Sequence, residues 1–593
     1  MGDAATVAFA AIPLLVVSVL LVGFLWPATR AMPIAWLSAL LVAFVVWGMP
    51  VRWLAAATIE GIVIAIQILF IVFGALVLLY TMMRAGAFDV LNSGFAMISE
   101  DRRVQVVLVA FFLSTFIEGA AGFGAPAAVV APLLLGLGFP ALAAVVAALI
   151  GHIIAVTYGA VGTPIIVGIR EPMASVFEIN QAIEAEGLTA TEFAVNVAAW
   201  AATYHLLVGF VMPLFAVGMV VYFFGDPADR SIQPALAVVP LCLFAGLSFV
   251  VPYWLSAWFI SAEFPSLVGS MVGAGITVAA LRAGYFLPDD EWTFPDQDEW
   301  PDHWLGSIQP SDVNTVLTRN HDISLARAWS PYVLLVVLLL LTRVYDPFSA
   351  LLRGEQVSLL GRQVSLVLGT VATGAGEFTV GLFLFEWTNI LGTSLETGVN
   401  FTYVPGTWLL VSAIAAVGVF GMNRRQVGEA WVGAGSKLLA PLIALVFVLA
   451  MAQVMLQSGS HADGLDSMIV VLGTATANAF GPAYPMVAAL IGALGAALVG
   501  SNTVSNITFG PFQFVAAERL GLSRELIVGA QTVGGAIGNL VAIHNVVAAL
   551  ATVGLIGEEG RVIRLNLIPL VYYTVFVGVW TVLFTYVFFP DVF

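Results

Sequence analysis

The sequence predicts an all-α polytopic membrane protein with about 12–14 membrane elements. Of its 593 residues, 61% are hydrophobic and 9% are charged, whereas a soluble protein carries about 25% charged residues. The mean hydropathy is +1.02, and continuous apolar runs of about 18–22 residues recur along the chain, each long enough to cross the hydrocarbon core. Because these runs do not alternate between polar and apolar residues, they indicate helices and exclude the strands of a membrane barrel.

Two interruptions of the apolar pattern divide the chain into similar halves. Residues 118–126 read EGAAGFGAP, and residues 500–510 read GSNTVSNITFG. An apolar run precedes each segment and another follows it, so each predicts the tip of a hairpin that enters the membrane, turns and returns. Paired interruptions in the two halves of a hydrophobic chain indicate two inverted repeats and mark the binding site. We therefore expect an N-terminal membrane repeat over residues 1–282 and a C-terminal membrane repeat over residues 329–593.

An acidic segment separates the two predicted repeats. The net charge of the chain is −16, and much of the acid lies in residues 288–302, PDDEWTFPDQDEWPD. Residues 283–328 contain no phosphate loop and no metal-ligand spacing, so we expect an acidic soluble connector there rather than a domain. The basic residues are almost all arginine, and Lys437 is the only lysine. Abundant acid with almost no lysine suits a prokaryotic, halophilic cell, although GC-rich coding also favours arginine.

A further polar segment follows each predicted hairpin. Residues 152–165 read HIIAVTYGAVGTPI, and residues 538–554 read GNLVAIHNVVAALATVG. Each mixes glycine, threonine and hydrogen-bonding side chains into apolar surroundings. Unwound backbone at membrane depth is tolerated only where it lines a cavity or is packed in protein, so both segments are expected near the binding site.

The hairpin tips carry side chains suited to binding a small carboxylate. Helix N-termini supply N–H donors and partial positive charge, and the Ser/Asn cluster of the second tip lies where a short helix should begin. Glycine in the first tip permits a tight turn and close approach of a ligand. The candidate substrate-binding residues are Ser501, Asn502, Thr503, Ser505, Asn506, Gly122, Phe123, Gly124, Tyr158, Thr163, His544 and Asn545. The structural alternative is that the polar side chains cap the hairpin and the glycines pack between helices.

Three residues are candidates for proton coupling. Glu118 lies in the apolar context STFIEGAAGF, and ionisable residues inside a membrane are rare and usually functional; the alternative is a neutral acid bonded to the hairpin backbone. The imidazole of His544 can relay a proton. Lys437 either neutralises the substrate anion or extends to the membrane interface.

Enzyme motifs are missing from the sequence. The patterns HExxH, GxSxG and GxxxxGK[ST] do not occur in a usable context, and nothing has metal-ligand spacing. We therefore expect neither an enzyme nor a cofactor, metal or nucleic-acid partner. Residues 374–400, which include Glu377, Glu386 and Glu396, are not assigned to the membrane or to solvent by their pattern.

Four of the segments described above resemble the lactate permease family of bacteria and archaea. They are EGAAGFGAP (118–126), YGAVGTPI (158–165), GSNTVSN (500–506) and GNLVAIHNVVAALATVGLIG (538–557). The resemblance implies uptake of L-lactate or glycolate by proton symport across the cell membrane. It also implies kinship with the wider ion transporter superfamily, whose members have inverted repeats with two re-entrant hairpins.

The same resemblance implies roles for the two tips. In the superfamily a Ser-Asn-Thr tip contacts the substrate carboxylate, a role that falls here on Ser501, Asn502 and Thr503. The first tip has Gly122, Phe123 and Gly124 where a second Ser-Asn-Thr would stand. This departure implies one carboxylate subsite, hence a monocarboxylate such as a 2-hydroxy acid, and it favours protons over sodium.

Two other functions stay open at this point. One is a sodium-coupled carboxylate carrier of the same superfamily. The other is a proton-pumping subunit of a redox complex, which would need several buried lysines in a row, whereas this chain has one lysine in all. The identity of the hydroxy acid, the direction of transport and the oligomeric state also stay open, with a homodimer as one candidate.

Overall fold

A computed structural model describes residues 3–24, 26–96, 98–122, 124–226, 230–308, 323–359, 362–461 and 465–593. Within these residues, 12 helical segments are long and apolar enough to cross a membrane, or up to 13 if one bent pair is counted as a span. The predicted all-α polytopic architecture is therefore confirmed. The arrangement of the halves as inverted repeats stays a prediction.

The helices of the first 282 residues begin and end as follows. They are α1 (Asp3–Ser18), α2 (Ala28–Val45), α3 (Val51–Ala85), α4 (Ala87–Ala96), α5 (Arg102–Gln105), α6 (Ser114–Ala120), α7 (Ala125–Gly136), α8 (Ala141–Gly151), α9 (Gly159–Ile166), α10 (Arg170–Ser175), α11 (Phe177–Ala185), α12 (Ala190–Val208), α13 (Met212–Phe224), α14 (Gln233–Leu236), α15 (Val239–Phe259) and α16 (Pro265–Arg282). A π-helix, Val106–Leu113, joins α5 to α6, and a 3-10 helix, Ile153–Tyr158, joins α8 to α9.

The C-terminal part of the chain contains a second series of helices. They are α17 (Leu325–Val344), α18 (Asp346–Leu352), α19 (Pro405–Phe420), α20 (Arg424–Ser436), α21 (Leu439–Leu456), α22 (Met468–Phe480), α23 (Tyr484–Val499), α24 (Asn502–Leu520), α25 (Arg524–Gly538), α26 (Ile543–Thr552) and α27 (Glu559–Leu583). A 3-10 helix, Asn539–Val541, joins α25 to α26, and the axis bends by 44° at this break.

The helices pack in two neighbouring groups. In the first, the long helix α3 packs against α19, α20 and α21. In the second, α25 packs against α12, α23, α24 and α27, while α8 packs against α7, α13 and α27. Both hairpins and both broken helices belong to the second group, so interrupted backbone is concentrated in one part of the molecule.

Each predicted hairpin tip is a short break between two helices that pack on each other. The first break lies between α6 and α7, where Gly122 and Gly124 have φ values of 59° and 76°. This left-handed region favours glycine, and Pro126 then fits the first turn of α7. The second break lies between α23 and α24, where Gly500 has a φ of 66° and the Ser501 side chain caps α24.

The broken helix α8–α9 contains an uncommon backbone conformation. Ala160, Val161 and Gly162 have φ values of 43°, 56° and 77° in sequence. Two of these residues carry a Cβ, and a β-branched residue at positive φ is a genuine outlier that surrounding structure must hold in place. All three are buried, so the protein around them supplies that constraint.

Two small antiparallel sheets were not anticipated from the sequence. Their strands are β1 (Val357–Leu359), β2 (Arg362–Val364), β3 (Val367–Thr373), β4 (Gly376–Gly381), β5 (Leu384–Thr388) and β6 (Thr397–Asn400). β1 pairs with β2, and the larger sheet has the order β3-β4-β5-β6. It accounts for most of the unassigned residues 374–400 and lies outside the candidate membrane spans.

Residues 283–308, the larger described part of the acidic connector, are bound to the start of the first hairpin. The buried carboxylate of Asp101 pairs with Arg103 at 2.5 Å and accepts a hydrogen bond from the Trp292 backbone N–H at 2.9 Å. Arg103 also donates to the carbonyl oxygen of Asp290 at 2.5 Å. The solvated nature of the connector as a whole, 283–328, stays a prediction, because residues 309–322 lie outside the described residues.

Candidate substrate site

The two hairpin tips and the two broken helices meet around one cavity, called here the central cavity. Its volume is about 40 Å³, room for a few water molecules or one small molecule. It is lined by Glu118, Gly122, Gly124, His152, Val156, Gly159, Ala160, Pro164, Gly500, Ser501, Asn502, Thr503, Asn539 and Asn545. The four segments that the sequence analysis paired are therefore adjacent in the structure.

Asn502 offers this cavity an amide group with no hydrogen-bond partner among the described residues. Its side chain is 3% exposed, and neither Oδ1 nor Nδ2 is bonded. A buried polar group left without a partner costs about 1–3 kcal/mol. Oδ1 packs on Gly535, where a Cβ would lie 2.1 Å from it, so the unbonded Nδ2 donor is the part of the amide that suits a ligand carboxylate.

The neighbours of Asn502 divide into lining and supporting residues. Ser501 and Thr503 line the cavity, and the Ser501 hydroxyl also accepts a long bond of 3.4 Å from the Val504 N–H. Ser505, which does not line the cavity, donates to the Gly492 carbonyl oxygen at 3.0 Å. The second tip therefore contains residues that line the cavity as well as residues that cap or brace the helix, and ligand binding by the lining residues stays a prediction.

Asn506 joins the second tip to the first half of the chain. Its Nδ2 donates to the carbonyl oxygen of Pro164 at 3.0 Å and also bonds to the Thr532 hydroxyl. Pro164 belongs to broken helix α9 and lines the central cavity. Asn506, which is not a lining residue, therefore links the second tip to both broken helices.

Close packing explains the glycines of the first tip. A Cβ on Gly122 would lie 2.9 Å from the Ala160 backbone nitrogen, and a Cβ on Gly124 would lie 2.8 Å from Oδ1 of Asn545. Any side chain at either position would have to displace a cavity wall. Phe123, the third candidate residue of this tip, lies outside the described residues.

Glu118 places a carboxyl group in the cavity wall. It is 4% exposed, its Oε2 has no hydrogen-bond partner, and no cation pairs with it among the residues described. Gly159 packs directly against its Oε1, because a Cβ at that position would overlap the oxygen. An acid with this surrounding can exchange a proton with whatever occupies the cavity.

His544 and Asn545 brace the tips from broken helix α26. His544 Nε2 lies 2.8 Å from the carbonyl oxygen of Gly500, while its ring fills the space beside that glycine. Asn545 lines the cavity and donates from Nδ2 to Oδ1 of Asn539 at 2.9 Å. His544 therefore touches the tip itself, and Asn545 faces the cavity.

Three other candidate residues do not line the central cavity. The Tyr158 hydroxyl donates to the carbonyl oxygen of Ala198, and Thr163 Oγ1 donates to the carbonyl oxygen of Ala160 at 2.6 Å. Lys437 is exposed at the end of α20. Tyr158 and Thr163 thus stabilise the broken helix without lining the cavity, whereas Lys437 lies at the surface.

Two lining residues were not among the predicted substrate-binding residues. His152, whose Nδ1 lies 2.7 Å from the Ala148 carbonyl oxygen, follows the last residue of α8 and lines the cavity. Asn539 begins the break between α25 and α26 and also lines it. Both stand at the first residue of a helix break, and a polar residue at that position is the signal that would have found them.

Several known proteins are similar to this chain over most of its length. A family model described as "L-lactate permease" matches residues 6–588. A putative L-lactate permease of Haemophilus influenzae is 29% identical over 520 residues, covering 87% of each chain. The glycolate permease GlcA of Escherichia coli K12 is 28% identical over 525 residues, covering 87% of this chain and 84% of that one. The YdaH transporter of Alcanivorax borkumensis aligns with a TM-score of 0.40 at 14% identity, covering 88% of this chain and 85% of that one.

The packing of His544 on Gly500 leads to the first testable prediction. Gly500 and Gly521 end consecutive helices with φ values of 66° and 65°, but a Cβ on Gly521 would meet nothing within 4 Å. Gly521→Ala should therefore cost only about 1–2 kcal/mol of backbone strain. Gly500→Ala should cost about 1–3 kcal/mol more than Gly521→Ala, because its Cβ would overpack against the imidazole of His544. The difference should appear as a lower thermal midpoint in detergent. Adding His544→Ala should recover the extra loss. Equal midpoints for the two single variants would contradict the close packing.

Proposed function

We propose that this chain, which belongs to the L-lactate permease family, takes up L-lactate or glycolate across the plasma membrane by proton symport. The family match and the 12 candidate spans make it a multi-pass plasma-membrane transporter and not an enzyme. The observation that carries the proposal is the central cavity, where the unbonded amide of Asn502 and the unpaired carboxyl of Glu118 line the same small space.

The electrostatics of the cavity suit a single carboxylate. Helix α24 begins at Asn502 and helix α7 at Ala125, so two helix N-termini adjoin the cavity. Each contributes N–H donors and about half a positive charge. No lysine or arginine is among the lining residues. One negative charge is compensated by this arrangement, whereas the desolvation of a second would go largely uncompensated.

Transport of a proton together with lactate follows from the same balance of charges. Lactate is almost fully ionised near neutral pH, and carrying its charge alone against the membrane potential would cost about 2.3 kcal/mol per 100 mV. A proton taken up by ionised Glu118 offsets the charge of the incoming lactate, so the loaded and empty cavities carry the same net charge and uptake of the pair is electroneutral. Binding of substrate and proton in one closed space also gives the two a reason to move together, because each reduces the desolvation cost of the other.

Counterflow in proteoliposomes tests the substrate class. Purified protein preloaded with unlabelled lactate should take up labelled lactate, and external glycolate should compete. Glycolate lacks one methyl group, so its affinity should be lower by about 1 kcal/mol or less. Succinate and citrate should not compete. Strong inhibition by succinate would show that the cavity accepts a second charge and would overturn the monocarboxylate assignment.

Asn502→Ala tests the carboxylate contact. Hydrogen bonds to a charged group are worth about 1.5–3 kcal/mol, so lactate affinity should fall about tenfold or more while the protein stays folded. Asn196→Ala is the matched control, since Asn196 is a half-buried amide that bonds to Glu525 away from the cavity; it should leave affinity unchanged. Wild-type affinity in a stable Asn502→Ala protein would rule out this contact.

Glu118→Gln tests the coupling. The variant resembles the protonated acid, so it should keep lactate exchange but lose accumulation driven by a pH gradient. Continued accumulation by Glu118→Gln would place the proton elsewhere, with His544 the next candidate. In the wild type, uptake that follows a sodium gradient at clamped pH would replace proton symport with the sodium-coupled alternative.

A further inference from the structure

Glu60 is a buried acid in a helix outside the group that forms the central cavity. It lies in α3 in the context ATIEGIVIAIQ and is 2% exposed. Two of the other buried acids outside the central cavity pair with arginine, Asp101 with Arg103 and Glu263 with Arg343, while Glu525 bonds to the neutral amide of Asn196. In the part of the chain that the structure describes, no cation pairs with Glu60. An unpaired carboxylate in a membrane helix is costly and usually functional.

Two cavities, each large enough for many water molecules, meet at Glu60. The first, called the sheet cavity, has a volume of about 350 Å³ and lies between α3, α10 and strands β5 and β6. The second, called the side cavity, has a volume of about 980 Å³ and extends along α10, α11 and the end of α21. Glu60 lines both. Cavities of this size hold many water molecules, so protons can reach the carboxyl group.

A single side chain connects Glu60 to the broken helix. Gln457, itself buried, directs Nε2 to Oε2 of Glu60 at 3.3 Å and to the carbonyl oxygen of Ser175 at 3.1 Å. Ser175 ends α10, which follows α9 after three residues. Hydrogen bonds to an ionised acceptor are stronger. The charge on Glu60 therefore sets the strength of its bond to Gln457, and with it the strength of the link from α3 to α10.

Other charged groups face Glu60 across both cavities. The sheet cavity also contains Arg170, Glu171, Glu386, Glu396 and Tyr403. The side cavity contains Glu178, His461 and Asp466. Carboxylates outnumber cationic side chains in this set, so the local potential attracts protons and other cations toward Glu60.

From this arrangement we infer that Glu60 is a second proton-binding site, which couples protonation to movement of α10 and the adjoining broken helix relative to α3. The inference rests on the proposed proton symport. Glu118 binds a proton next to the substrate, whereas Glu60 binds one at the contact between the two helix groups. Protonation weakens the bond between Gln457 and Glu60 while the bond to Ser175 remains, so the link between α3 and α10 changes with pH.

The test compares Glu60→Gln with Glu186→Gln in proteoliposomes. Both remove one acid, but Glu186 is exposed at the end of α11 and lines neither cavity. Glu60→Gln should retain lactate counterflow at equal pH, while the stimulation of uptake by an inward proton gradient falls about fivefold or more, the lower end of a typical coupling between sites. Glu186→Gln should keep the wild-type stimulation. Glu60→Asp should restore pH dependence with a shifted midpoint, and it remains informative if Glu60→Gln does not fold.

The outcomes separate this inference from the function on which it rests. If the wild type ignores the proton gradient, proton symport fails and the role of Glu60 fails with it. If the wild type follows the gradient and Glu60→Gln follows it equally, only the role of Glu60 is overturned. A pH profile of Glu60→Asp that coincides with the wild-type profile would overturn it as well.

Discussion

The cost of an unsatisfied backbone group in hydrocarbon is the constraint on which this structure depends. Each such group costs several kcal/mol, so interrupted helices at membrane depth must be enclosed by protein or line a cavity. Here the breaks after α6, α8, α23 and α25 all adjoin the central cavity. Enclosing them together means that one group of helices carries the irregular backbone, while α3 and its neighbours stay regular. The location of the proposed binding site follows from that separation.

Much of this arrangement was readable from the sequence, because broken periodicity is a local signal. Glycines and Ser/Asn clusters inside apolar runs predicted the two tips and the two broken helices, and the cavity joins them. The sequence did not predict which side chains of each helix face the cavity. Asn502 faces the cavity whereas Ser505 and Asn506 face Gly492 and Pro164, a distinction that depends on how the helices dock.

Features that lie outside the paired breaks were harder to predict from the sequence. Strand β4 alternates polar and apolar residues over Glu377–Val380, a period-two signal that is too short to stand out in a hydrophobic chain. Glu60 carries the same signal as Glu118, an acid within an apolar run, but no helix break draws attention to it. The interpretation of the acidic composition as an adaptation to salt stays a prediction, since the comparisons do not bear on it.

Main chain forms part of the wall of the central cavity. Five of its fourteen lining residues are glycine or alanine, namely Gly122, Gly124, Gly159, Ala160 and Gly500, and close neighbours leave no space for a Cβ at the four glycines. At these positions the backbone sets the shape of the proposed substrate site, and no substitution can narrow it gradually. Evolutionary adjustment of the substrate range is then left to the other lining residues and to residues behind the wall, whose substitution would displace the backbone without touching the substrate.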